Sequence, residues 1–157
     1  MAANQPLAHR YREVAVKTAN PLQLVVILYD AAINALQQAQ GHIRSKDIAR
    51  RAGSLNHSVA IISELQACLN FQEGGQIAHS LDRLYNYMKH RIFTANIEQR
   101  CEPLAEVISL LENLRAAWGE LVTQHQNAAV PTAVPGSGKS GGIENGAPGL
   151  NSLNISG

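Results

Sequence analysis

The chain has few aromatic residues, few cysteines and almost no net charge. Aromatic residues make up 4% of its 157 residues, and the formal net charge is +1. Such a composition disfavours nucleic acid or an anionic membrane surface as the main partner, because both attract a concentrated positive charge. The two cysteines, Cys68 and Cys101, lack metal-ligand spacing. We therefore expect reduced thiols in the cytosol.

Long apolar runs and strand patterns are also missing. The beginning of the chain, MAANQPLAHRYREV, lacks the apolar core of a signal peptide. No apolar run approaches the roughly 20 residues that span a bilayer, so we expect no membrane insertion. No stretch alternates between apolar and polar residues over the length of a strand. These absences predict an all-α protein in the cytoplasm.

Helical periodicity extends from residue 20 to residue 125. Asn20 and Pro21 provide a typical start, since Asn favours the N-cap and Pro the first helical position. Apolar residues also recur at intervals of three and four residues from about Ile48 to Asn70, from Ile77 to Ala95 and from Leu104 to Leu121. Four helices joined by short connections predict an antiparallel up-down four-helix bundle over residues 20–125.

The first helix carries more apolar surface than a surface helix needs. One face contains Val25, Leu28, Tyr29, Ala32, Leu36 and Ala39, and a second face contains Leu24, Ile27 and Ala31. Either this helix is central in the bundle, or its surplus apolar surface is covered by something else. In the second case a groove could bind an amphipathic segment of another protein.

Both ends of the chain differ from the bundle. Residues 1–19 have too few apolar residues for an independent element, and we expect an arm or short helix that caps the bundle. Residues 126–157 are rich in glycine and proline, which predicts a flexible tail. Within the tail, AVPGSGKS at 133–140 loosely fits a phosphate-binding loop. Neither flank supplies the strand and the helix that such a loop requires, so nucleotide binding is disfavoured.

Cofactor sites and catalytic constellations are not evident. No Glu is followed by His three residues later, no two His are four residues apart, and no Cys-x-x-Cys-His occurs. We therefore expect no cofactor, no metal and no enzymatic activity. The one local basic cluster, formed by Arg44, Lys46, Arg50 and Arg51, is interpreted as a solvated helix start.

Several motifs resemble those of a known family. Tyr11, Thr18-Ala19-x-Pro21-x-x-Leu24, Leu28-Tyr29-Asp30 and Ala39 are similar to the start of the flagellar secretion chaperones that hold flagellin. Later motifs that resemble the same family are Leu84-Tyr85-x-Tyr87-Met88, Ala95-Asn96 and Leu114-Arg115-x-x-Trp118. The similarity runs in order from about Tyr11 to Trp118 and leaves out the tail.

The resemblance implies a cytosolic chaperone that binds the disordered C-terminal segment of flagellin in an apolar groove. Such a protein prevents premature polymerisation and aids delivery to the membrane export gate. The implied partner-binding residues are Tyr11, Thr18, Pro21, Leu24, Leu28, Tyr29, Tyr85 and Tyr87. From the residues alone, the default position of Tyr29 and Tyr85 is the core, and which of Tyr85 and Tyr87 faces flagellin stays open.

Two alternatives stay open at this point. The chain could be a homodimeric bundle whose apolar face is its subunit interface, or a cofactor-carrying bundle that uses Cys68 or buried histidines. The chaperone interpretation itself is compatible with a monomer or a weak homodimer.

Overall fold

The structure, a computed structural model, describes residues 21–129, which form four α-helices. These are α1 (Pro21–Arg44), α2 (Ile48–Ala67), α3 (Phe71–Glu98) and α4 (Glu102–Ala129). The predicted all-α four-helix bundle is confirmed. The predicted arm at 1–19 lies outside the described residues, as does the predicted tail from residue 130 onward, while α4 extends four residues past the predicted boundary at 125.

Each helix packs against two neighbours. Both α1 and α3 pack against α2 and α4. Gln66 of α2 hydrogen-bonds Asn86 of α3 at 3.0 Å, and Ser63 accepts from Lys89 at 3.4 Å, so these two helices run in opposite directions. The short connections therefore place the α1–α2 and α3–α4 turns at one end of the bundle.

Side-chain caps set the boundaries of the middle helices. Asp47 is the N-cap of α2, as predicted, and its Oδ1 accepts from the backbone N–H of Arg50 at 3.2 Å. Asn70, which was predicted to end α2, caps α3 instead, since its Oδ1 accepts from two backbone N–H groups of the following turn at 3.1 Å. Helix α2 consequently ends at Ala67, and α3 begins at Phe71, before the predicted Ile77.

Gly75 interrupts α3 after its first turn. Its backbone has φ 51° and ψ −128°, a conformation that glycine adopts far more readily than residues with a Cβ. The break predicted at Gly74-Gly75 is therefore present, although it lies inside α3 rather than before it. Directly after the break, Ala78 is buried and Ile77, which was predicted to face inward, is 61% exposed.

The core is apolar and draws on all four helices. The first apolar face of α1 is buried throughout, and Leu24 and Ala31 of the second face pack at the edge of the core. The largest fully buried side chains are Tyr29, Tyr85, Leu28, Leu36, Ile61, Ile62, Leu65, Met88, Ile92, Leu104, Leu111 and Val107. Trp118, predicted on the inner face of the last helix, is 7% exposed. Most of the apolar surplus of α1 is thus used inside the bundle.

Candidate partner-binding surface

The predicted binding residues fall into three groups. Tyr11 and Thr18 lie outside the described residues. Pro21 and Tyr87 are exposed, and Leu24 is half-buried. Leu28, Tyr29 and Tyr85 are buried. Contact between these three buried side chains and a partner stays a prediction, and in this conformation it would require the helices to separate.

Tyr29 and Tyr85 meet inside the bundle. Their hydroxyl groups are hydrogen-bonded to each other, which joins α1 to α3 across the core. Burial raises the pKa of Tyr29 to about 12, an effect that hydrogen bonding with Tyr85 and Trp118 partly opposes. Burial also raises the pKa of Tyr85. Both side chains are therefore neutral near pH 7, and they lie in the core rather than on the surface.

Tyr87 lies on the outside of α3, against α4. Its ring is 43% exposed, and its hydroxyl donates to the two carboxylate oxygens of Glu106 at 2.8 and 2.9 Å. Arg91 Nε donates to the same carboxylate at 2.6 Å. The hydrogen bond from Tyr87 and then that from Arg91 lower the pKa of Glu106, and the bond to Glu106 raises the pKa of Tyr87. The network holds an aromatic ring in a fixed orientation at the surface.

A strip of exposed apolar side chains follows the junction of α2 and α3. Ile48, Phe93 and Ile97 are 62%, 60% and 63% exposed. Phe93 and Ile97 follow Lys89 by four and eight residues and so share its side of α3, which faces α2 through the Lys89–Ser63 hydrogen bond. We name Ile48, Val59, Phe93 and Ile97 the α2–α3 strip.

The α2 members of the strip follow from the same spacing. Val59 and Ile48 precede Ser63 by four and fifteen residues, so both lie on the side of α2 that faces α3. Val59 is half-buried against the core, and Ile48 stands at the start of the helix. Because water contacts most of each exposed side chain, covering the strip with another apolar surface is favourable.

The strip is not apparent from the apolar periodicity of the sequence. Ile48 was assigned to the inward pattern of α2, but it lies in the first turn of that helix, where the structure leaves it exposed. Phe93 and Ile97 were not singled out. The available signal was their spacing of four residues on α3, beside the separate inward pattern of Met88, Ile92 and Ala95.

Three further features of the described residues concern metal ligands, thiols and membrane-spanning helices. Within residues 21–129 no group of three His, Cys, Asp or Glu side chains could hold a metal ion. Within the same residues, Cys68 and Cys101 are half-buried and form no disulfide, and Cys101 donates to the carbonyl of Gln40 at 3.7 Å. None of the four described helices combines the length and apolar character needed to cross a membrane.

An exposed apolar strip on an all-helical bundle is a candidate protein-binding surface. The family model described as flagellar protein FliS matches residues 3–125. The chain belongs to the FliS family, and it is a flagellar secretion chaperone of the helical-bundle type.

Several curated relatives support this assignment. The flagellar secretion chaperone FliS of Salmonella typhimurium is 36% identical over 110 residues, which covers 69% of this chain and 82% of the relative. FliS of Vibrio cholerae is 30% identical over 121 residues, covering 74% and 89%. FliS of Bacillus subtilis is 30% identical over 122 residues, covering 78% and 90%. The resemblance to flagellar secretion chaperones is thus confirmed.

Proposed function

We propose that this chaperone binds the disordered C-terminal segment of flagellin on the α2–α3 strip, in the cytosol and without catalysis. The bound segment is kept from polymerising and is presented to the membrane export gate. The observation that carries the proposal is an exposed apolar strip on a member of a flagellar secretion chaperone family.

The energetics suit temporary binding. Complete burial of an Ile or Phe side chain contributes about 1.5–3 kcal/mol, and three such side chains on the strip are mostly exposed. Ordering a disordered segment costs about 2–5 kcal/mol of the interaction energy. Because the ordering cost offsets much of the free energy gained by burial, binding can be specific and the segment can still be released at the export gate.

A segment that later packs into a filament has apolar faces that promote self-association before assembly. A chaperone that covers those faces lowers the concentration of segments able to aggregate. A helical segment fits the strip, because Phe93 and Ile97 stand one helical turn apart on α3 and can pack against the apolar face of another helix.

We further propose distinct roles for the residues predicted from sequence. Pro21 and Leu24 at the start of α1 and Tyr87 on α3 provide accessible contacts, and Tyr11 and Thr18 of the arm add to them. Leu28, Tyr29 and Tyr85 hold the core in the shape that presents these contacts.

The binding surface can be tested with matched substitutions on α3. The affinity of a fluorescently labelled C-terminal flagellin segment is measured by anisotropy for Phe93→Ser, Ile97→Ser and Ile77→Ser. Ile77 is the matched control, since it is 61% exposed on the same helix but lies at the opposite end. We expect a roughly tenfold loss, equivalent to about 1.4 kcal/mol, for each strip variant and less than twofold for the control. Equal affinities for all three variants, with unchanged helicity, would contradict the proposed surface.

A second copy of the chain could also cover the strip. Light scattering of the full chain, with and without the flagellin segment, separates the two possibilities. The proposal predicts a complex of one chain and one segment. A stable dimer that the segment neither dissociates nor binds would favour a subunit interface instead.

A further inference from the structure

Positive charge is concentrated where the α1–α2 and α3–α4 connections meet. These connections share one end of the bundle, since Cys101 at the start of α4 donates to the carbonyl of Gln40 near the end of α1. Arg44 ends α1 and Lys46 lies in the connection after it, both exposed, and Arg51 follows in the first turn of α2. We name Arg44, Lys46 and Arg51 the basic end.

The carboxylates of this end are already used by other arginines. Asp47 pairs with Arg50 at 3.6 Å, and Glu98 and Glu102 pair with Arg100 at 3.1 and 3.4 Å. In the part of the chain that the structure describes, no carboxylate forms an ion pair with a member of the basic end. The basic end therefore carries an excess of positive charge.

Arg51 is the most unusual member of the basic end. Its side chain is 9% exposed, and its Nε is buried without a hydrogen-bond partner among residues 21–129. It also stands near the N-terminus of α2, where the helix dipole disfavours a cation. A buried donor without a partner is costly. Because this Nε is out of reach of solvent, the exposed Arg44 and Lys46 are the members of the basic end that a partner can contact.

Asn96 of α3 also has a buried polar atom without a partner among the described residues. Its Oδ1 is buried and has no hydrogen-bond partner in the described structure. The Ser63–Lys89 pairing places Asn96 level with residues 55–56 of α2, about one helical turn from Arg51. Asn96 thus lies near the end of α3 at which the α2–α3 strip ends with Ile97.

We infer that the basic end receives an acidic side chain of the segment that occupies the strip. The carboxylate pairs with the basic end, and the apolar residues beside it pack on Ile48 and Ile97. This inference rests on the proposed flagellin binding and adds to it the direction of the bound segment. The acidic part lies at the connections, and the apolar part extends along α3 toward Lys89.

The test uses exposed arginines as a matched pair. The affinity of the labelled flagellin segment is measured for Arg44→Gln and for Arg83→Gln, an exposed arginine further along α3. Two further variants are measured. One combines Arg44→Gln with Lys46→Gln and keeps Arg51, and the other is Arg51→Gln alone. Each affinity is measured at low and at high salt, and again with a segment whose Asp and Glu are replaced by Asn and Gln.

We expect the Arg44→Gln, Lys46→Gln variant to bind roughly three- to tenfold more weakly at low salt, with a smaller difference at high salt. Arg83→Gln should stay within twofold of the unmodified protein. The neutralised segment should bind the unmodified protein more weakly and should no longer distinguish it from the variant.

Two contrary results have different meanings. If the segment binds but its affinity depends neither on the basic end nor on its own acidic residues, the inference is overturned and the proposed function stands. If the segment does not bind the unmodified protein, both are overturned.

Discussion

Arg115 of α4 forms a bidentate ion pair with Asp30 of α1 through two hydrogen bonds. Its Nε lies 2.8 Å from Oδ1, and its Nη2 lies 3.3 Å from Oδ2. The side chains are 44% and 48% exposed, so the pair contributes little stability, about 0–1 kcal/mol. Its bidentate geometry nevertheless gives the contact between α4 and α1 a defined orientation. Asp30 follows Tyr29 directly in the sequence. The Arg115–Asp30 ion pair therefore joins α1 and α4 beside the buried Tyr29–Tyr85 contact.

Phenylalanine substitutions at Tyr29 and Tyr85 should have unequal effects. Tyr29→Phe leaves the buried Tyr85 hydroxyl without its partner, and we expect a loss of about 1–3 kcal/mol in the free energy of unfolding. Tyr85→Phe should cost less, because Trp118 still offers a hydrogen bond to Tyr29. Urea denaturation followed by circular dichroism measures all three free energies, including that of the double variant.

The double variant tests whether the two hydroxyls act as a pair. Replacing both removes the unsatisfied group, so its cost should be less than the sum of the single costs. Strictly additive costs would show that the hydroxyls do not depend on each other.

Trp118→Ala should destabilise the bundle strongly. The side chain is 7% exposed and belongs to the core, and large aromatic truncations in cores cost roughly 3–5 kcal/mol. Thermal denaturation provides the measurement, and Trp118→Phe, which keeps most of the volume, is the matched control. A melting temperature unchanged by Trp118→Ala would be incompatible with a core position.

The Tyr87–Glu106–Arg91 network predicts a pH dependence of stability. The pKa of Glu106 is below its ordinary value of 4.5 in the folded protein, because the carboxylate accepts from Tyr87 and Arg91. A lowered pKa contributes stability that is present above the unfolded value and is lost as pH falls through the folded value. The stability difference between the unmodified protein and Glu106→Gln should therefore be largest above pH 4.5 and should shrink below it.

Urea midpoints from about pH 7 to about pH 3 measure this difference. Glu112→Gln is a useful control, because it also removes an α4 carboxylate but lies at an exposed position. A difference for Glu106→Gln that stays constant over this range would mean that the network does not couple to protonation.

Helices and core were largely predictable from the sequence. Apolar spacing of three and four residues identified the inward residues of α1 and α4, such as Leu36 and Leu111, because burial of one helix face imposes that period. The cap at Asp47 was also predictable, since its mechanism is local. The inward pattern of α3 was also predicted correctly for Met88, Ile92 and Ala95, but its first member, Ile77, is exposed just after the break at Gly75.

The candidate surface was less predictable, for a different physical reason. Periodicity shows that a residue is apolar and on a given face, but it does not show which neighbouring helix covers that face. Phe93 and Ile97 become significant only through the pairing of α3 with α2. Likewise Tyr29 and Tyr85 are separated by 56 residues, and only the folded arrangement shows that they meet in the core.

Calorimetric titration of the full chain with the C-terminal segment of its own flagellin tests the central claim most directly. We predict one-to-one binding with a large negative change in heat capacity, because apolar burial orders the segment on the α2–α3 strip. Phe93→Ser should weaken the binding and reduce the heat-capacity change. Absence of binding at concentrations well above micromolar would contradict the account, and so would binding with no heat-capacity change.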